Sequence, residues 1–368
     1  MHIYTKDNER VASAMSHYPQ CGNVQSFVRI IQGHINDTFR VDTDKGTFLL
    51  QKVSEVAFKE PLKVMANIAG VTRFLREEIL KEGGDPSTGC LNLLDSDDGV
   101  PYWRNAKGQV WRVYLFIDGM SYDTPKNPEI FGKAAEAFGR FQHLLESYPA
   151  DQLEEVIPHF HDTPSRFAAL EKAIEEDAVG RKKEVEDLIR IAYERKDRIG
   201  RIVDGLAKGE LPLRTTHNDT KLNNIMFDKV GEEPLCILDL DTIMPGSALY
   251  DFGDSIRFGA NTCAEDEKDT SKIQFDLAMF ESYAKGFVKG AQGSLTEQEI
   301  RLFPYSAWLM TFECGIRFLT DYLNGDVYFH TEYDDHNLVR AKDQFALFLD
   351  MEKKEKEADA IIEALLKE

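Results

Sequence analysis

No stretch of this chain approaches the ~20 uninterrupted apolar residues that a membrane-spanning helix needs, so no membrane partner is expected. Its first ten residues are polar and charged and lack the apolar centre of a signal peptide, which points to a cytoplasmic protein. Cysteine is sparse. The five residues Cys21, Cys90, Cys236, Cys263 and Cys314 are far apart and form no C-x-x-C pair. That spacing argues against a zinc knuckle or a disulfide framework and fits buried free thiols. Positive charge is also short: 44 Lys and Arg stand against 64 Asp and Glu, a net charge of −20. Such a field repels DNA, RNA and anionic membranes, so nucleic acid is not an expected partner. A small anion accompanied by a divalent cation needs only local positive groups and is not excluded.

What is present is enough for a substantial core. With 368 residues, 42% of them hydrophobic, the chain forms one large or two medium domains. Apolar alternation predicts strands over 27–31, 38–41 and 47–53, with hairpin chemistry at Asp42-Thr43-Asp44-Lys45-Gly46. The connection Gln32-Gly33-His34-Ile35-Asn36-Asp37 is either an ordinary hairpin loop or one that folds over phosphates, with a single glycine to argue from. Residues 60–80 have helical periodicity, 81–89 read as a loop, and short strands follow at 91–94, 101–104 and 110–117. Helices dominate from Asn127-Pro128-Glu129, a cap, a first-turn proline and an acid in series. Further helices are expected over 165–206 with a break near Gly180, then 273–289, 297–323, 336–350 and the charged tail. The fold class is therefore α+β, with a β-rich nucleotide-binding part at 1–118 and a mainly helical catalytic and substrate-binding part at 119–368.

The chemistry concentrates between Thr216 and Gly259. His217-Asn218-Asp219-Thr220-Lys221-Leu222-Asn223-Asn224 has the H-x-D-x-x-x-x-N spacing of kinase catalytic loops, in which Asp meets the substrate hydroxyl and Asn a metal. Phosphoryl transfer asks a protein for alignment and charge compensation rather than covalent chemistry, and these residue types supply both. Asp219 is the expected base, and Asn224 turns an amide oxygen to magnesium. His217 holds the loop by hydrogen bonds. Lys221 faces either the transferring phosphate or solvent. A hairpin through Gly231 then delivers Asp239, and Asp241 two residues on shares its face on a strand. Both acids are candidate magnesium ligands, with a simple acidic strand end as the alternative. Asp251-Phe252-Gly253 spells the magnesium motif of protein kinases but lies 27 residues past Asn224, where Asp239 lies 15 past it. Asp251 is accordingly expected to bond catalytic-loop backbone. His159, His161 and Asp162 form either a metal site or, as expected, a loop whose histidines bond backbone. Arg257 reaches toward a ligand or pairs with an acid such as Asp254. Trp103, Trp111 and Trp308 are expected in the core.

This block, with Gly33-His34-Ile35-Asn36, Trp111-Arg112-Val113-Tyr114, His159-Phe160-His161-Asp162-Thr163-Pro164, Leu240-Asp241-Thr242-Ile243-Met244-Pro245-Gly246, Glu313-Cys314-Gly315 and His336-Asn337-Leu338-Val339-Arg340, resembles the aminoglycoside phosphotransferase and choline kinase superfamily. Within it the nearest likeness is to the N-acetylhexosamine 1-kinases, and it extends over most of the chain. The resemblance implies a bilobal protein-kinase-like fold using ATP and Mg2+, with adenine near Phe116 and Ile117. It implies transfer of the γ-phosphate to the anomeric hydroxyl of N-acetylglucosamine or N-acetylgalactosamine. Asp219 matches the base, Asn224 and Asp239 the metal ligands, and His34 and Asn36 the loop near the phosphates and sugar. Arg317 and Tyr328 fall where the sugar is held. One departure stands out: the strand position of the kinase phosphate lysine holds Gln51, followed by Lys52 on the opposite face. Gln51 is the expected inward residue. Other acceptors of the same enzyme class, an aminoglycoside, choline or another amino alcohol, are the alternative, and a non-catalytic nucleotide-binding protein is a more distant one.

Overall fold

The alternations Phe39-x-Val41, Phe48-x-Leu50 and Trp111-x-Val113 place one apolar stripe on one face of three neighbouring strands. The computed structural model, which describes residues 2–31 and 35–367, shows what that stripe covers. Helix α1 (His2–Met15) precedes strands β1 (Val24–Ile30), β2 (Asp37–Thr43) and β3 (Gly46–Lys52). Then come α2 (Pro61–Lys81), the short α3 (Pro86–Gly89), β4 (Leu93–Leu94), β5 (Trp103–Arg104) and β6 (Val110–Leu115). The sheet is antiparallel in the order β1-β2-β3-β6-β4, with β5 also on β6. Val11, Ala14 and Met15 of α1 pack with Tyr18, Phe39, Val41, Phe48, Leu50, Trp111 and Val113 in one buried cluster. Each large side chain removed from water contributes ~1.5–3 kcal/mol, which is what holds this helix to the sheet.

These elements belong to a first unit comprising Met1–Met120, Ser147–Ile157 and Met226–Met244. Its last segment contains most of a hairpin in which Ile225–Phe227 pairs with Pro234–Ile237. A 3-10 turn, Leu240–Thr242, follows that hairpin. On the other face of the main sheet, Gln51 of β3 stands directly opposite Arg112 of β6. Lys52 takes the α1-facing side, where its ammonium lies 3.7 Å from Asp37. Arg10 and Arg29 also reach Asp37, at 2.5 and 2.6 Å. Burial alone would raise the Asp37 carboxyl, but these three cations hold it below the usual range.

The second unit, Ser121–Glu146, Pro158–Ile225 and Pro245–Glu368, is mostly helical. Its helices are α4 (Pro128–Leu144), α5 (Thr163–Glu176), α6 (Glu186–Tyr193), α7 (Arg201–Lys208) and α8 (Ala248–Gly259). They continue with α9 (Leu277–Ala291), α10 (Glu297–Arg301), α11 (Phe303–Leu323), α12 (His336–Lys353) and α13 (Glu355–Leu365). The Asn127 side chain accepts from the Ile130 amide at 2.9 Å, so α4 begins where its cap predicts. Helices α4 and α9 approach closely: a Cβ at Gly139 would lie 2.1 Å from the Phe287 carbonyl oxygen. The structure has the expected α+β class: an antiparallel sheet toward the N-terminus and helices in the remainder. It differs locally. Helix α1 was not anticipated, the stretch 81–89 contains the turn α3 capped by Asp85, and the single helix expected over 297–323 divides at Leu302. Among the described residues no helix is long and apolar enough to cross a membrane.

Asp343 of α12 is fully buried and accepts from Gln344 Nε2 at 3.0 Å and Asn261 Nδ2 at 3.2 Å. Burial pushes its carboxyl up to about 7, with Glu265 adding to the rise. For a carboxyl raised in the folded state, the stabilising contribution is complete below the ordinary Asp range and is lost as pH climbs through about 7. Asp343→Asn should therefore leave stability near wild type only below the ordinary Asp range, with the difference growing as pH rises from there to about 7. It should add up to ~4 kcal/mol by pH 8, as urea unfolding across pH would record.

Candidate active site

The H-x-D-x-x-x-x-N run lies wholly in the second unit, and its shape is set from below by α8. Asp251 Oδ1 accepts from the Asn218 amide at 2.7 Å, and Oδ2 accepts from the His217 amide at 3.0 Å. Gln142 of α4 adds a third donor to Oδ2 at 2.8 Å, and the Asp251 carbonyl accepts from Thr220 Oγ1 at 2.5 Å. Asp251 thus bonds the loop backbone, as its distance from Asn224 had suggested. The rest of its motif is structural too. Phe252 stacks on Phe303 with ring centroids 3.7 Å apart, and a Cβ at Gly253 would lie 2.4 Å from the Ser306 carbonyl oxygen.

Asn218 takes a left-handed conformation at φ 66, which Asn tolerates better than most residues, and its Nδ2 donates back to the Thr216 carbonyl at 3.1 Å. His217 is fully buried between the rings of Phe138 and Phe141, and its Nδ1 accepts from the Asp219 amide at 3.2 Å. That contact makes His217 a loop-holding residue. His161 supports the turn from the other side, with Nε2 3.2 Å from the Asn218 carbonyl and Nδ1 2.8 Å from Glu313. Both of its partners only accept, so both bonds form together when the imidazole carries two protons. The Glu313 carboxyl, pushed up by burial, is brought below its usual range by His161. Among the described residues no group of three His, Cys, Asp or Glu side chains is placed to hold a metal, and the histidines at 159 and 161 form no such site.

Asp219 emerges from this frame with its carboxylate 28% exposed. Its Oδ1 lies 3.0 Å from Lys221 Nζ, and its Oδ2 accepts from Asn224 Nδ2 at 3.1 Å. Asn224 Nδ2 also donates to the Asp219 carbonyl at 2.8 Å. Burial opposes ionisation of Asp219, but Lys221 and His217 outweigh it and keep the carboxyl below its ordinary value. Lys221 is correspondingly raised by Asp219, with Asp254 and Glu265 adding to the effect. Asp254 and Glu265 are themselves held by Arg257, at 3.0 and 2.5 Å, so that arginine pairs with acids. Both bonds of the Asn224 side chain use Nδ2, which leaves Oδ1 as the oxygen suited to a hard cation.

The other expected residues fall in two places. In the first unit, Asp239 has φ 53 and Asp241, 3% exposed, lies 2.6 Å from Arg112 and accepts from Asn36 Nδ2 at 2.7 Å. Gln51 Oε1 accepts from Arg112, and Gln51 Nε2 donates to Thr38 Oγ1 at 3.1 Å. Phe116 is half-buried beneath Arg40, whose guanidinium carbon is 5.0 Å from the ring centroid, and Ile117 is buried. His34 lies outside the described residues.

In the second unit, the Arg317 guanidinium lies over the rings of Phe160 and Phe329 at 5.5 and 5.4 Å. Tyr328 is 68% exposed on a loop that one buried acid organises. Asp321 Oδ1 accepts from the amides of Val327 and Tyr328 at 3.0 and 2.8 Å, and Oδ2 from Phe329 N and Asn337 Nδ2, both at 2.9 Å. Sequence reasoning named Tyr328 but missed Asp321 and Arg112. The only sequence signal for either was a charged residue at an apolar-periodic position, Arg112 within Val110-Trp111-Arg112-Val113 and Asp321 within Leu319–Leu323.

An ionised, partly exposed carboxylate flanked by a lysine ammonium and an amide N–H donor is suited to orient a hydroxyl for attack on a phosphoryl group. The chain belongs to the phosphotransferase enzyme family known as APH, whose sequence model matches residues 26–283. Its fold resembles an aminoglycoside phosphotransferase of Alicyclobacillus acidocaldarius at TM-score 0.63 and 14% identity, over 97% of this chain and 96% of that one. It also resembles choline kinase from Cryptosporidium parvum at TM-score 0.56 and 13% identity, over 90% of both chains. A spectinomycin phosphotransferase in complex with ADP and spectinomycin matches at TM-score 0.55 and 12% identity, over 90% of this chain and 94% of that one. These likenesses show a shared fold.

Two outcomes follow for the site. Lys221→Met removes the main influence lowering the Asp219 carboxyl, so the acid limb of the kcat/KM profile should move to higher pH, read by steady-state kinetics from pH 4 to 9. Asp321→Asn replaces one accepting oxygen by a donor that opposes the loop amides. It should raise the acceptor KM about fivefold while ATP KM changes by less than about twofold.

Proposed function

We propose that this protein transfers the γ-phosphate of ATP to the anomeric hydroxyl of an N-acetylhexosamine, N-acetylglucosamine or N-acetylgalactosamine, yielding the sugar 1-phosphate. The observation that carries the reaction type is the Asp219 carboxylate, ionised and pinned between Lys221 and Asn224. In that state it accepts the proton of the acceptor hydroxyl as the oxygen attacks phosphorus. Lys221 offsets charge on the transferring group.

Hard oxygen donors are what magnesium takes, and Asn224 Oδ1 with the Asp239 carboxylate fit that requirement. Bound there with ATP, the ion would neutralise phosphate charge. Asp241, whose oxygens already serve Arg112 and Asn36, stands behind Asp239. Few protein ligands are needed, because magnesium keeps waters and nucleotide oxygens in its shell. We assign the adenine contact to Phe116 and Ile117 in a nucleotide-binding part at 1–118, and the phosphate side to Gln51, Asn36 and the loop that includes His34.

The acceptor is assigned to Arg317 and Tyr328. The ADP-bound spectinomycin phosphotransferase supports nucleotide use, and the choline kinase and spectinomycin likenesses keep a cationic acceptor as the competing reading. Burial and the like charge of Arg317 lower the Arg166 guanidinium, while Glu313 and Asp162 act in the opposite direction. Charge therefore does not decide between a neutral sugar and a cationic amine, and the sugar assignment rests on the resemblance at Arg317 and Tyr328.

An ADP-release assay with magnesium-ATP and a panel of hexosamines, choline, ethanolamine and aminoglycosides decides between them. Turnover with an N-acetylhexosamine should exceed that with the amines by about 100-fold or more in kcat/KM. Turnover confined to choline or an aminoglycoside would overturn the sugar assignment.

A further inference from the structure

Kinases place a lysine on the third strand, and this chain has Gln51 there instead. Lys52 does not substitute for it. With a period of two it occupies the opposite face, close to Asp37, which Arg10 and Arg29 also engage. Arg40 of β2 shares the Gln51 face, but the cation directly opposite Gln51 across the strands is Arg112, which is 1% exposed. Arg112 Nε and Nη2 donate to Gln51 Oε1 at 3.0 and 2.8 Å, while Nη1 lies 2.6 Å from Asp241 Oδ1. Burial disfavours the charged guanidinium, but Asp241 more than compensates and holds it fully protonated.

The second oxygen of Asp241 accepts from Asn36 Nδ2 at 2.7 Å, and Asn36 Oδ1 accepts from the Ser54 amide at 2.9 Å. Four side chains therefore form one bracket, buried at Arg112 and Asp241 and half-buried at Gln51 and Asn36. It ties β3 and β6 to the turn Leu240–Thr242 and to the chain just before β2. Immediately before that turn, Asp239 sits at φ 53, a conformation that non-glycine residues keep only when their surroundings over-determine it. A buried ion pair adds little net stability once desolvation is counted, so its physical effect is geometric.

We infer that Arg112 is a positioning residue that stands in for the missing strand lysine without touching phosphate: acting through Asp241, it fixes the direction in which Asp239 presents its carboxylate. This rests on the assignment of Asp239 to magnesium in the proposed function and divides the labour of the two acids, Asp239 facing the ion and Asp241 anchoring the turn. Because its nitrogens are spent on Gln51 and Asp241, removing Arg112 acts on metal dependence and not on the nucleotide itself.

The test is titration calorimetry of ADP at graded magnesium concentrations, using the full-length protein. Arg112→Met should raise the magnesium concentration for half-maximal ADP binding about tenfold, as loss of a residue behind a metal ligand does. Metal-free ADP affinity and acceptor KM should change by less than about twofold. Arg112→Lys keeps the charge but cannot span Gln51 and Asp241 together, and should recover part of the loss. Arg112→Gln, which keeps a donor for Gln51 but removes the charge facing Asp241, should shift magnesium dependence in the same direction by about threefold or more. It supplies the answer if Arg112→Met does not fold. Unchanged magnesium dependence in folded variants overturns the inference, and so does an equal loss of metal-free ADP affinity, which would mark a direct phosphate contact. Failure of the wild type to phosphorylate any sugar would sink the proposed acceptor while leaving this binding experiment readable.

Discussion

The loop that carries Asp219 in the second unit hangs on one buried carboxylate. Asp251 gathers two consecutive loop amides and a glutamine on its side-chain oxygens and a threonine hydroxyl on its carbonyl. Burial raises its carboxyl, and His217 together with the His217 and Asn218 amides pulls the other way. Four donors are required because the segment they hold is irregular: a left-handed Asn218 with no helix or strand to satisfy its amides. A loop without such an acceptor would leave buried N–H groups unpaired at ~1–3 kcal/mol each and would not hold Asp219 in one direction. Helix α8 can supply the acceptor because Gly253 lets α11 approach and Phe252 locks against Phe303.

Given that frame, the chemistry is decided by charge. A carboxylate proposed to take a proton has to be ionised beforehand, and burial alone would hold Asp219 toward its protonated form. Lys221 reverses that and is itself kept charged by Asp219, with Asp254 and Glu265 beyond it, and Arg257 balances those two acids in turn. Alternating signs along this chain of residues allow several charges to sit in a partly dehydrated region, where any one of them alone would be costly.

Much of this was legible in the sequence, for physical reasons that can be named. Period-two alternation around Phe39, Phe48 and Trp111 wrote the sheet, and Asn127-Pro128-Glu129 wrote the start of α4, because both depend on residues close in the chain. The count from Asn224 to Asp239 and Asp251 separated a hairpin end from a helix. What was not legible depends on partners distant in sequence. The sequence of helix α1 is polar over most of its length, with Val11, Ala14 and Met15 in the buried cluster, so its composition hid it. The part played by Arg112 needed Gln51 and Asp241, 61 and 129 positions away in the chain, to be brought to one point. Asp321 reads as one acid in a helix until its loop folds back onto it.

Asp321 also explains why an acceptor is the hardest property to read from fold alone. The residues that read the acceptor in this proposal, Arg317 and Tyr328, lie respectively on α11 and on the loop beyond it. That loop carries exposed Val327 and Tyr328, and exposing apolar surface opposes its order. It is held in one shape by three backbone amides converging on a single buried carboxylate and by Asn337, which bonds Asp321 and Asp326 together. Changing which side chains ride on such a loop changes the acceptor and leaves the Asp219 machinery untouched. The structurally similar choline kinase and spectinomycin phosphotransferase can therefore share this fold while naming different acceptors. In this proposal, reaction type follows from the loop that Asp251 holds, whereas acceptor choice follows from the loop that Asp321 holds.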